Sequence, residues 1–124
     1  MEEQILVVDD EPDIADSVKL LLTKMGYVVK AVNTGKDALN ILKKQKFDLV
    51  LLDILMPEMS GREVLQIIRK DPKLKNQKVA FLTVVELGQA GRDLVKTLKP
   101  IEYFHKPLLD LDAFKKRIGE ILKE

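Results

Sequence analysis

Five short apolar runs alternate along the chain with stretches whose apolar residues recur every three or four positions. The runs are Ile5–Val8, Tyr27–Val32, Phe47–Leu52, Lys78–Leu82 and Ile101–Phe104. They are β-branched and leucine-rich, and the first is apolar throughout, as suits a strand covered on both faces. The intervening stretches read as helices. Pro12 suits a first helical turn, Ile14, Val18, Leu21, Leu22 and Met25 follow at helical spacing, and Gly26 stops that helix. Asn33 or Thr34 caps a second helix, with Ala38, Ile41 and Leu42 on its inner face.

Ser60 and Glu63 form a capping box for a third helix, whose Val64, Leu65, Ile67 and Ile68 are expected to face the sheet; Asp71-Pro72 ends it. A fourth helix is expected over Glu86–Leu98. It is intrinsically the weakest, because Gly88 and Gly91 each cost roughly 1 kcal/mol relative to alanine. A last helix starts at Asp110 or a neighbour and carries Leu111, Phe114, Ile118, Ile121 and Leu122. Strands alternating with helices imply an α/β fold: a doubly wound, five-stranded parallel sheet with helices on both faces.

The chain is 124 residues long, which suits one domain over 1–124 with a self-sufficient core. It has 21 basic and 20 acidic residues and no cysteine. The near-neutral balance offers no footprint for nucleic acid or an anionic membrane, and disulfides and thiolate chemistry are excluded. No apolar stretch approaches the roughly 20 residues needed to span a bilayer. Met1-Glu2-Glu3-Gln4 lacks a signal-peptide pattern, so a cytoplasmic protein is expected.

The chemistry lies where the runs end. Asp9-Asp10 closes the first, Asp53 the third and Thr83 the fourth, and Lys106-Pro107 follows the fifth. In a parallel sheet those ends share one edge, and ligands bind beyond it where the strand order reverses. Three crowded carboxylates need a cation. A carboxylate, a cation, a hydroxyl and a lysine together suit a phosphoryl group.

In these pieces the chain resembles the receiver domain of two-component response regulators, most simply a single-domain chemotaxis-type regulator. The resemblance rests on Ile5-Leu6-Val7-Val8-Asp9-Asp10-Glu11, on Asp53-Ile54-Leu55-Met56-Pro57-Glu58-Met59-Ser60-Gly61, on Leu82-Thr83, and on Tyr103-Phe104-His105-Lys106-Pro107. It implies a flavodoxin-like strand order 2-1-3-4-5. It implies that Asp53 takes a phosphoryl group from a histidine kinase and that Mg²⁺ is held by Asp9, Asp10, Asp53 and the backbone carbonyl of Leu55. Thr83 and Lys106 would contact the phosphoryl group, Lys106-Pro107 would be cis, and Thr83 with Tyr103 would form a switch. A downstream protein would bind the face made by the fourth helix, fifth strand and last helix. Neither direct nucleic-acid contact nor a membrane is expected. His105, the only histidine, reads as an ordinary strand residue.

Three departures from that family stand out. Val84 follows Thr83 where a smaller residue is usual, and could narrow access to the phosphoryl group. Lys99-Pro100 replaces a Gly-Ala pair. Leu55 and Val85, at positions thought to tune phosphoryl hydrolysis, are both apolar. Two competing readings are a phosphorylation-independent binding module on the same fold and a haloacid-dehalogenase-like phosphatase. The phosphatase needs a second Asp two residues after the nucleophile, where this chain has Leu55. No output domain follows Glu124, so the chain is expected to signal through a partner or to be part of a longer regulator.

Overall fold

The apolar runs form one sheet because their alternate residues serve two cores. A computed structural model describes residues 2–124, with the backbone alone for Leu94; Met1, which the expected domain includes, lies outside the described residues. The strands are β1 (Gln4–Val8), β2 (Val28–Val32), β3 (Leu49–Leu52), β4 (Val79–Thr83) and β5 (Glu102–His105). All are parallel, in the order β2-β1-β3-β4-β5. The helices are α1 (Pro12–Lys24), α2 (Gly35–Lys44), α3 (Gly61–Lys70), α4 (Gln89–Leu98) and α5 (Leu111–Lys123). The α/β class, the strand order and the five helices are as expected; individual boundaries move by one to three residues.

Side chains alternate across a strand, so each apolar run splits in two. Leu6, Val8, Val50, Leu52, Val79 and Phe81 pack with Ala38, Leu42, Val64, Leu65, Ile68, Val95 and Leu98 of α2, α3 and α4. Ile5, Val7, Leu49, Leu51, Ala80 and Leu82 pack with Ala15, Val18, Leu22, Phe114, Ile118 and Ile121 of α1 and α5. Each such fully buried side chain contributes about 1.5–3 kcal/mol. The inner strands β1, β3 and β4 read as unbroken apolar runs because neither face meets water, whereas the edge strands β2 and β5 are partly exposed.

Two core assignments need correction. Ile67 is 43% exposed, because α3 already buries Val64, Leu65 and Ile68 and its stripe is too narrow for a fourth neighbour. Leu111 is 46% exposed, since it opens α5 beyond the sheet's edge. The caps are resolved. Thr34 accepts from Asp37 N, Ser60 accepts from Glu63 N, and Asp110 accepts from Ala113 N. α4 begins at Gln89, later than expected, with Gly88 as its N-cap and no side-chain cap bond.

α4 is secured at its other end. Lys99 closes it in the left-handed conformation (φ 53°), a position that glycine occupies without strain. A lysine there costs about 1–2 kcal/mol. Arg69 of α3 offsets this: Nε donates to Leu98 O (2.7 Å) and Nη2 to Lys99 O (3.0 Å). Its Nη1 donates to Lys75 O and Gln77 O, so one guanidinium ties the α4 terminus to the loop before β4.

Candidate functional site

β1 is the centre of the reversal. β2 lies on one side of it and β3 on the other, so the loops leaving β1 and β3 diverge to opposite faces and leave a crevice. Asp9 and Asp53 stand side by side there: Asp9 N donates to Val32 O (3.1 Å) and Asp53 N to Val8 O (2.9 Å), extending the ladders past both strands. Asp9 is 3% exposed, Asp53 5% and Thr83, the last residue of β4, 0%. Asp10 is half-buried at the rim. Carboxylate oxygens of Asp9, Asp10 and Asp53 lie within 4.8 Å of one another. Two carboxylates at that spacing repel by about 3 kcal/mol at an effective dielectric near 20.

Lys106 answers part of that repulsion. Its Nζ lies 2.6 Å from Asp9 Oδ2 and 3.3 Å from Asp53 Oδ2. Burial works against the ammonium charge, but the hydrogen bond to Asp9 and the charges of Asp53 and Asp9 outweigh it, so the Lys106 pKa is raised. The strand ladder holds the residue, because Lys106 N donates to Thr83 O (2.9 Å), and the Lys106-Pro107 bond is cis, as expected. Three carboxylates against one ammonium still leave the crevice short of positive charge. Oxygen donors of this kind suit a hard divalent cation such as Mg²⁺.

The remaining acceptor capacity is already ordered. Asp9 Oδ1 accepts from Glu11 N (3.0 Å) and Asp53 Oδ1 from Leu55 N (3.3 Å). Thr83 Oγ1 accepts from Val85 N (3.3 Å), while the Tyr103 hydroxyl donates to Val85 O (2.6 Å). The backbone of one residue, Val85, therefore joins Thr83 to Tyr103, through its N–H on one side and its carbonyl on the other. Burial is the main cause that raises the Tyr103 pKa, against the nearby Arg62 charge, so its O–H remains a donor at neutral pH. The ring packs 5.8 Å from Phe81 and 4.9 Å from His105 (centroid distances). His105 itself is exposed.

Val84 is 56% exposed and lines a cleft of about 360 Å³ with Ile14, Val18, Leu82, Pro107 and Leu108. Leu55 is 57% exposed and Val85 half-buried. The structure brings Asp9, Asp10, Asp53 and Lys106 together, with Thr83 one ladder bond from Lys106 and Tyr103, in β5, bonded to the carbonyl of Val85 two residues after Thr83.

Two residues given no role from sequence also build the site. The Asn33 side-chain amide donates to Asp9 O (2.9 Å), fixing the first acidic loop, while Thr34 does the capping. Gly61 packs its α-carbon onto the Asp53 loop. A Cβ there would lie 2.1 Å from Asp53 O and 2.8 Å from Asp53 C, both backbone atoms. Space rather than φ dictates this glycine. The only sequence signal is a poor helix former at the first position of an otherwise well-formed helix.

Gly61→Ala should therefore displace the Asp53 backbone and lower the unfolding free energy by about 2–4 kcal/mol in urea titration. Ser60→Ala, which removes only a cap, should cost about 1 kcal/mol.

Residues 5–118 match the family model described as the response regulator receiver domain. The chain is 34% identical over 126 residues to the regulatory protein VanR of Enterococcus faecium, covering 96% of this chain and 54% of that one. It is 41% identical over 104 residues to a probable cyclic di-GMP phosphodiesterase of Vibrio cholerae, covering 84% of this chain and 23% of that one. It thus spans about a quarter to about half of these curated relatives' lengths. Among solved structures it is similar to the response regulator TrrA of Thermotoga maritima in complex with Mg²⁺-BeF (36% identity, TM-score 0.82, 96% of this chain and 98% of that one). It also resembles the chemotaxis protein CheY4 of Vibrio cholerae (26% identity, TM-score 0.87, 98% and 99%). Among the described residues no helix is long and apolar enough to cross a membrane. With the sheet order, the acidic crevice and this match over nearly its whole length, the chain belongs to the response regulator receiver family.

Proposed function

We propose that Asp53 is the phosphoacceptor of this receiver, taking a phosphoryl group from a histidine kinase. The observation that carries the reading is the position of Asp53: nearly buried at the strand-order reversal, 3.3 Å from Lys106 and clustered with Asp9 and Asp10. A carboxylate oxygen of Asp53 attacks the phosphorus of a phosphohistidine. The new O–P bond forms as the P–N bond breaks, and the imidazole leaves with that electron pair and is protonated by solvent. Held by Asp9, Asp10, Asp53 and the carbonyl of Leu55, Mg²⁺ would neutralise charge on the transferring group. Lys106 supplies a fixed point charge to the same oxygens. The chain's own residues thus catalyse the transfer, while the kinase supplies the donor.

The Thr83 hydroxyl already accepts from Val85 N and keeps its proton free to donate to a phosphoryl oxygen. Drawing Thr83 toward that oxygen pulls on the Val85 N–H, and Tyr103 is bonded to the carbonyl of the same residue. The loop and the uncapped start of α4 then repack. A weakly capped helix is a suitable moving part. The surface that changes is the α4–β5–α5 face, where Glu86, Leu87, Arg92, Val95, Tyr103 and His105 line a recess of about 500 Å³. Arg92 and Lys96 line it, and Lys99 at the end of α4 and Lys115 and Lys116 on α5 are exposed, a positive charge that favours an acidic downstream partner. The two competing readings fall behind: Leu55 stands where a dehalogenase-like phosphatase needs its second Asp, and a phosphorylation-independent module has no use for three crowded carboxylates that oppose folding.

Incubation with a small-molecule phosphodonor and Mg²⁺ tests the reading. Intact-mass analysis should find one phosphoryl adduct on the wild type and none on Asp53→Asn. An adduct retained by the variant would place the acceptor elsewhere. Neither Leu55 nor Val85 can orient an attacking water, so the phosphorylated state should be long-lived. Leu55→Asn, which adds an amide at an exposed position beside Asp53, should accelerate dephosphorylation about tenfold. An unchanged or slower decay would refute this.

A further inference from the structure

We infer that the end of the molecule opposite the acidic crevice is a docking groove for an acidic polypeptide segment that presents a large apolar side chain. Because every strand is parallel and every helix runs back, all five helices end at the same edge of the sheet. Basic residues favour helix C-termini and acidic ones N-termini. The last turns carry Lys24, Lys43 and Lys44, Arg69 and Lys70, Lys96, and Lys123. The near-neutral chain is therefore polar from end to end, a property its net charge conceals.

Helix-end preference accounts for Lys43 and Lys44 but not for Lys46 and Lys73, which lie in the loops before β3 and β4. These four exposed lysines line a recess of about 650 Å³ together with buried Leu42, half-buried Leu74 and exposed Pro72. A second recess of about 370 Å³ shares Leu42, Gln45, Lys46, Lys73 and Leu74 and continues it toward Lys78 and Leu122. Among the described residues none of the four rim lysines makes an ion pair. Asp71 and Asp48 line the two recesses, each with one oxygen accepting from backbone, Asp71 Oδ1 from Lys73 N (2.8 Å) and Asp48 Oδ2 from Gln4 N (2.7 Å), so the lysines still outnumber the carboxylates.

Shape chooses among anionic partners. Of its apolar residues only Pro72 is exposed, so the recess lacks the broad apolar face that a membrane-binding surface must insert. The recess offers no arginine and no exposed aromatic ring on which a base could stack. A peptide can place one apolar side chain on Leu42 and Leu74 while flanking carboxylates meet the lysine rim. Because the groove lies at the far end of the strands from Asp53, this docking is separate from phosphoryl transfer.

The test uses the intact protein and a fluorescent synthetic peptide in which glutamates flank a single leucine. Binding should weaken steeply as salt rises, because the contacts are exposed charges. Reversing Lys43, Lys46 and Lys73 together to Glu should weaken it at least about tenfold. Reversing Lys19 on α1 and Lys30 on β2, exposed lysines remote from the groove, should leave it unchanged. Amide shift mapping of the wild type should move residues 42–46 and 71–74, which guards against a misfolded variant. Equal loss in both variants, shifts confined to the α4–β5–α5 face, absence of binding, or preferential binding to phosphatidylglycerol vesicles or a DNA oligonucleotide would overturn the proposal.

Discussion

The contact on which the rest depends is the bridge from Lys106 to Asp9 and Asp53. The topology forces two buried carboxylates next to each other at the ends of neighbouring strands, and a third joins them at the rim. Such crowding opposes folding and persists only because an ammonium from the far edge of the sheet reaches across. Lys106 arrives there through the Thr83 ladder bond, so register between β4 and β5 decides whether the acidic cluster is tolerable. The same shortage of positive charge makes the crevice receptive to a divalent cation. Instability in one state and readiness to bind in another share one electrostatic cause.

That arrangement also explains how a local event can spread. Thr83 and Tyr103 grip the N–H and the carbonyl of Val85, while Arg69 fixes the far end of α4 through the carbonyls of Leu98 and Lys99. α4 is therefore held firmly at its C-terminus and lightly at its N-terminus, which lies next to the phosphoacceptor crevice. Motion at the lightly held end is the cheaper response to a new charge. The proposed partner face includes that end, while the lysine groove lies at the opposite pole.

Much of this was legible before any coordinates. The apolar runs and their polar closing residues located the strands, and the shared strand direction placed Asp9, Asp53, Thr83 and Lys106 at one edge. What was not legible depends on three-dimensional proximity. Ile67 and Leu111 have helical spacing, yet periodicity does not say how wide a buried stripe is. Gly61 looks dispensable in sequence, and only the 2.1 Å approach to Asp53 O reveals why a side chain cannot stand there. Arg69 resembles an ordinary basic residue at a helix end until its four carbonyl partners are counted. The lysine pole vanished into a net charge of +1, because totals carry no direction.

Folding stability measured against Mg²⁺ concentration tests the central electrostatic claim most directly. If the acidic crevice is a cation site, the unfolding free energy should rise by about 1.4 kcal/mol for each tenfold increase in Mg²⁺ above saturation. Lys106→Met should be less stable without metal and gain more from it, since the cation takes over the missing charge, while Asp10→Asn should gain little. A Mg²⁺ response that is the same in all three proteins, or absent from the wild type, would contradict the account.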